Sequence, residues 1–168
     1  EVPANVDPYD GKNLLIFSVG PFCGTLVPFC GRHFVMAKSP LTKILGEASA
    51  GGFFGNELKC TGYDHVIVKG KSEKPVYLWI KDGTAEIRDA SNLWGKGIRY
   101  TETELKNIIG DDKIKTASIG PAGENLVKYA AIINESDHAA GTSSNLLPYS
   151  IKKLKSIAVR GTGNPSVH

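Results

Sequence analysis

The sequence predicts an α+β fold in which antiparallel sheets dominate and the helices are few and short. Three observations carry this expectation. Short β-branched and aromatic runs recur along the 168 residues without alternating regularly with helical segments, a pattern that disfavours a wound parallel sheet. Turn residues are dense, with 19 Gly and 9 Pro, so each element must be short. At 41% hydrophobic and 22% charged, the chain holds apolar material for one ordinary core and not for two.

The elements follow in order. Residues 1–12 hold Pro3, Pro8 and Asp10-Gly11 without periodicity and form an opening loop. The start without Met suits a chain cut from something longer, or one that has been processed. Residues 13–161 make the domain and residues 162–168 a C-terminal tail. The apolar runs 13–19 and 33–37, closed by Gly20-Pro21 and Ser39-Pro40, are buried strands. Residues 46–52 form a glycine- and alanine-rich loop leading into helical turns through Phe53, Phe54, Glu57, Leu58 and Lys59. Runs 66–68, 76–80 and 85–88 form an antiparallel meander. Thr101 and Glu104 are spaced as a capping box for a helix over 102–109, which Gly110 stops. Runs 115–119 and 128–133 are strands around the turn Gly120-Pro121-Ala122-Gly123, and residues 134–145 are a polar loop. Residues 156–159 close the fold as a strand with lysine-rich flanks. The total is eight or so strands with two or three short helices.

Charge and motifs narrow the function. The net charge of +3 is spread along the chain, so neither a nucleic-acid stripe nor a polybasic membrane anchor is expected. No apolar run approaches the ~20 residues that span a bilayer, and the start Glu1-Val2-Pro3-Ala4 lacks the basic and apolar regions of a secretory signal, so export is not expected. The odd set Cys23, Cys30 and Cys60 makes no disulfide framework, which agrees with a reducing cytoplasm. Their wide spacing suits small buried thiols, and no iron–sulfur cluster is expected on this chain alone. His33, His65, His138 and His168 form no metal-binding spacing; His65 heads a strand as a structural residue, and His138 in the small-residue loop is the one to watch. No hydrolase, P-loop or dinucleotide fingerprint occurs, so no catalytic residue is assigned. What remains is the 46–52 loop before a helix, either an anion seat of backbone N–H groups or a tight loop packed on a sheet. Arg32 either pairs with the same anion or is a solvated flank.

Many motifs in order resemble one family. Gly20-Pro21, Gly24-Thr25, Gly31-Arg32, Ala37-Lys38-Ser39-Pro40-Leu41-Thr42, Gly51-Gly52-Phe53-Phe54-Gly55, Glu57-Leu58-Lys59 and Gly62-Tyr63-Asp64 resemble the N-terminal domain of the tungsten-containing aldehyde ferredoxin oxidoreductases. Glu73-Lys74-Pro75-Val76-Tyr77, Ile87-Arg88-Asp89-Ala90-Ser91, Leu93-Trp94-Gly95-Lys96 and the run from Ile119-Gly120-Pro121 to Leu126-Val127 continue the similarity over nearly the whole chain.

The resemblance implies a saddle-like or barrel-like base of antiparallel sheets beneath a bis-pterin cofactor that carries tungsten or molybdenum, with a bridging magnesium ion. It places Arg32, Ser49, Ala50, Gly51 and Gly52 at the cofactor, with His138, Ala139, Ala140 and Gly141 opening a second cofactor loop. Ser49 stands where the family usually has an asparagine serving the magnesium. His138 and Thr142 stand at places usually held by arginine, and Ser143 and Ser144 at places usually held by glycine. The family's opening segment and later helical domains, with their cluster cysteines, are outside these residues. The implied activity is oxidation of a small aldehyde to a carboxylic acid with electrons passed to ferredoxin, for which this domain alone is insufficient. The implied partners are therefore the missing C-terminal domains or a partner subunit, ferredoxin and the aldehyde, with a homo-oligomer as a further option. The alternative reading is a shortened non-catalytic relative that keeps the fold as a partner- or small-molecule-binding module.

Overall fold

Residue 3, residues 5–141 and residues 147–165 are described in the computed structural model. Strand β1 (Leu15–Val19) turns Leu15, Phe17 and Val19 inward, and β2 (His33–Lys38) does the same with His33, Val35 and Ala37, as the two-residue period of a pleated strand requires. With β3 (Leu45–Ala50) and β4 (His65–Val68) they form an antiparallel sheet of order β3-β2-β1-β4. Helix α1 (Phe54–Cys60) lies between β3 and β4 in the chain.

The second sheet contains β5 (Val76–Lys81), β6 (Thr84–Asp89), β7 (Lys115–Ser118), β8 (Ile132–Asn134), β9 (His138–Ala140) and β10 (Leu154–Arg160), in the order β6-β5-β10-β7-β8-β9. Its pairs are antiparallel except β5 with β10. Helices α2 (Ile98–Ile109), α3 (Pro121–Glu124) and α4 (Leu147–Ile151) complete the described elements. Leu15, Phe17, Val35, Phe54, Leu58, Tyr149 and Ile157 belong to a core shared by both sheets. Tyr77, Trp79, Leu93, Leu105 and Ala158 form a second core on the other face of the second sheet. The fold is α+β with two antiparallel-rich sheets, as expected.

Several local expectations are corrected. Residues 45–50 are a strand, and only Gly51, Gly52 and Phe53 separate it from α1. Gly46, Ala48 and Ala50 alternate inward and the strand pairs with β2 along its whole length, so tertiary pairing overrides the weak strand preference of Gly and Ala. The meander is split: β4 pairs with β1, while β5 and β6 form a hairpin in the other sheet. Helix α2 begins four residues before Glu102, with Gly97 at its N-cap. Thr101 is buried within it, and its hydroxyl donates to the Gly97 carbonyl instead of capping. Gly110 ends it in the left-handed region at φ 74°, as expected.

The turn at 120–123 is helix α3, with proline in its first turn. The strand expected over 128–133 shrinks to β8, and the polar loop after it folds back as β9. Helix α4 was not foreseen, and β10 is a central strand with Lys155 fully buried. Cys23 is buried, with burial pushing its thiol up to about 11, whereas Cys30 and Cys60 are only partly buried; all three are free.

Candidate functional site

The two expected cofactor loops meet in space. The β2–β3 register places His33 opposite Ala50 and Phe34 opposite Ser49, so Arg32, just before β2, stands beside the Ser49–Gly51 end of β3. Arg32 is exposed, and its guanidinium is anchored on one edge: Nη2 donates to Ser49 Oγ at 2.9 Å and to the Ser49 carbonyl at 3.3 Å, and Nε donates to Ser49 Oγ at 3.3 Å. Among the described residues its Nη1 has no partner. An added Cβ at Gly51 would meet only His138 Cδ2, at 4.0 Å, so the backbone there is open.

Gly52 is crowded. Its φ is +88°, and an added Cβ would fall 2.7 Å from Glu135 Oε2, 2.8 Å from Asn134 Nδ2 and 3.1 Å from His138 Nδ1. Glycine is required here by conformation and by space. The neighbours come from the turn joining β8 to β9, where Glu135 and Ser136 both have positive φ, 52° and 61°. Asn134 Nδ2 donates to the Gly51 carbonyl at 2.9 Å. The Phe53 N–H donates to both Glu135 carboxylate oxygens, at 2.8 and 2.9 Å.

One donor of the expected anion seat, the Phe53 N–H, is taken. The backbone donor at the start of α1 already holds a carboxylate of this chain, which satisfies the orphan N–H and complements the positive helix end. Asn134 and Glu135 were missed from sequence because they lie in what read as a uniform polar loop. Their signal was a polar pair directly after an apolar strand, meaningful only once that strand is known to face Gly51-Gly52.

The remaining site residues divide by orientation. His138 is exposed, with Nδ1 3.9 Å from Glu135 Oε2, a pair that attracts when the ring is protonated. Ala139 is exposed, while Ala50 and Ala140 turn into the shared core and offer the surface only backbone. An added Cβ at Gly141 would lie 3.3 Å from Ala131 Cβ. Thr142, Ser143 and Ser144 lie outside the described residues, as does His168. Beneath the turn, Ser136 Oγ donates to Glu102 Oε2 at 2.5 Å and Lys106 Nζ donates to Glu102 Oε1 at 2.8 Å. Burial raises the Glu102 carboxyl, but these two donors outweigh it and hold the group below its ordinary value. Lys115 Nζ stands 5.2 Å from the Phe53 ring centre, adding positive charge beside the loop.

His65 is exposed at its strand, where Nδ1 meets Ser18 Oγ at 2.8 Å. Among the described residues no group of three or more His, Cys, Asp or Glu side chains could hold a metal ion. Among them, too, no helix is long and apolar enough to cross a membrane.

Comparison with known proteins shows the family and the fold. The family model described as aldehyde ferredoxin oxidoreductase, N-terminal domain, matches residues 1–161. A tungsten-containing aldehyde ferredoxin oxidoreductase of Pyrococcus furiosus is 51% identical over 96% of this chain and 27% of its own length. From the same organism, the WOR-like subunit of an aliphatic sulfonate oxidoreductase is 35% identical over 94% of this chain and 27% of its own length. A solved structure, the active-site complex of benzoyl coenzyme A reductase with 1,5-dienoyl-CoA, superimposes with a TM-score of 0.94 at 42% identity, covering 97% of this chain and 25% of that one. The chain thus spans about a quarter of the length of the relatives it matches, and it belongs to the family of aldehyde ferredoxin oxidoreductase N-terminal domains.

Proposed function

We propose that this chain is the tungstopterin-binding base of an aldehyde ferredoxin oxidoreductase and needs the remainder of such an enzyme to turn over. The observation that carries the reading is Arg32, exposed and anchored through Ser49 beside the open Gly51 backbone, with His138 facing the same turn. A guanidinium held on one edge presents the other to phosphate or pterin acceptors with little further loss of freedom. Arg32, the Gly51 backbone and His138 would hold the cofactor, and Gly141 would shape the second loop. When bound, that group supplies the metal at which an aldehyde is oxidised to a carboxylic acid and from which electrons leave toward ferredoxin.

The bridging magnesium does not fit Ser49. Ser49 Oγ already accepts two N–H groups from one edge of Arg32, and a dication there would face a guanidinium. The family's tungsten-named relatives support the pterin cofactor, while the sulfonate and benzoyl-CoA names among the relatives leave the substrate to the parts outside this domain. A non-catalytic binding module is the second reading, favoured by the same observation that Arg32 and Phe53 N–H already have internal partners.

The test is elemental analysis for tungsten and molybdenum, with pterin fluorescence after oxidation, on chain purified from a host with the pterin pathway and tungsten supply. The expected result is metal and pterin near stoichiometry, with retention lowered about tenfold or more by Arg32→Ala while the thermal midpoint is unchanged. Absence of both, or equal retention in the variant, would favour the binding module or remove Arg32 from the site.

A further inference from the structure

Away from the glycine loops, the edge of the first sheet and the β5–β6 hairpin of the second enclose a cleft of about 330 Å³. Its walls are Val68 of β4, Val76 and Leu78 of β5, Ile87 of β6 and Leu154 of β10, with Lys152 as a polar group among them. Val68, Val76 and Leu78 pack on the shared core from the inside, and Leu154 is part of it. Ile87 is 75% exposed and stands at the mouth. The size and the apolar lining with a few polar groups at one end are those of small-molecule sites.

Lys152 is unusual for a lysine, being 3% exposed. Its ammonium donates to the Gly11 carbonyl at 2.9 Å and to the Gly70 carbonyl at 2.8 Å. An ammonium has three donors, and among the described residues the third has no partner. Among the described residues no carboxylate pairs with it directly. Asp10 acts on it from the opening loop, but Asp10 is exposed and its Oδ1 accepts the Lys12 N–H. Burial accordingly pulls the amine down to about 8. Lys69 and Lys71, both exposed, also stand in the cleft wall, so the polar end of the cleft is cationic.

We propose that this cleft binds a small amphiphilic carboxylate, an aliphatic or aromatic acid whose apolar body lies against Leu78, Leu154 and Ile87 and whose carboxylate accepts the third Lys152 N–H. Such a ligand supplies both missing components, an acceptor for a buried donor and a counter-charge for a buried cation. Its hydrocarbon removes the exposed face of Ile87 from water. The site is separate from the glycine loops and does not depend on the pterin reading.

The experiment is calorimetric titration of the 168-residue chain with octanoate and, for comparison, octanol. Octanoate should bind saturably and octanol at least about tenfold more weakly, the worth of one charge-assisted contact. Ile87→Asp alters an exposed mouth residue and should weaken octanoate and octanol alike by roughly tenfold or more, because it sets a hydrated charge where the hydrocarbon lies. Lys152→Met should abolish the preference for acid over alcohol. Because Lys152 also ties two loops, the Ile87→Asp result stands independently if that variant fails to fold. Equal binding of octanoate and octanol, no saturable octanoate binding, or octanoate affinity unaffected by Ile87→Asp would overturn the proposal.

Discussion

His33 is completely buried between Phe17 and Phe54, with ring centres 6.2 and 5.0 Å away, and among the described residues neither ring nitrogen has a hydrogen-bond partner. Burial chiefly, and the positive charge of neighbouring Arg32 in addition, lower its imidazole from 6.5 to about 4. The folded chain therefore excludes a proton that the unfolded chain binds below pH 6.5. The associated stability is fully present above that pH and falls as pH drops toward 4, by about 3 kcal/mol over the interval. Carboxyls held low by their donors, such as Asp111 beside the Lys113 N–H and Arg160, lose their contribution only at lower pH. Urea midpoints between pH 7 and 4.5 should fall steeply in the wild type and much less in His33→Leu. Parallel pH profiles would mean that His33 does not carry this dependence.

At the scale of elements, Glu135 joins the β8–β9 turn to the start of α1. Its carboxylate caps Phe53, while Asn134 holds the Gly51 carbonyl. Glu135→Ala should cost about 0.5–2 kcal/mol, the range for a lost helix cap, and should raise amide exchange at residues 51–54 beyond that global loss. Glu135→Gln, which keeps one acceptor, should recover part of both. Exchange confined to a uniform global increase would show that the turn does not fasten the loop. This contact also marks where sequence reading stopped. The strands β1, β2, β5, β6 and β7 announce themselves through apolar or alternating runs bounded by turn residues. Strand β3 hides because its inward residues are Gly46, Ala48 and Ala50, whose strand character comes from pairing with β2. The Thr101–Glu104 spacing imitated a helix start because local spacing cannot report that Thr101 is buried one turn inside. Arg32, Ser49, Gly51, Gly52 and His138 were legible through motif resemblance, but Asn134 and Glu135 were not, since their partners lie some 80 residues away in the chain.

For the whole molecule, β10 is the strand both cores share: Ile157 and Val159 face one, Ala158 the other. Arg160 at its end pairs with Glu57 of α1 at 2.8 Å and with Asp111 after α2 at 3.0 Å. Lys155 within it is fully buried, paired with Glu124 of α3, and donates to the Lys96 carbonyl at 2.8 Å. Glu124 in turn accepts the Gly95 N–H at 2.7 Å. A buried pair with these contacts satisfied is tolerated, whereas one partner left alone is a bare charge in an apolar interior. Glu124→Ala should therefore destabilise by about 3–5 kcal/mol, and Lys155→Met in that background should restore a large part of the loss. Because the same strand serves both cores, far-ultraviolet and near-ultraviolet unfolding curves should coincide in wild type and variants alike. A cost below about 1 kcal/mol for Glu124→Ala, the level of an exposed pair, would show that water reaches the pair. Separated transitions would show that the two cores melt independently despite the strand they share.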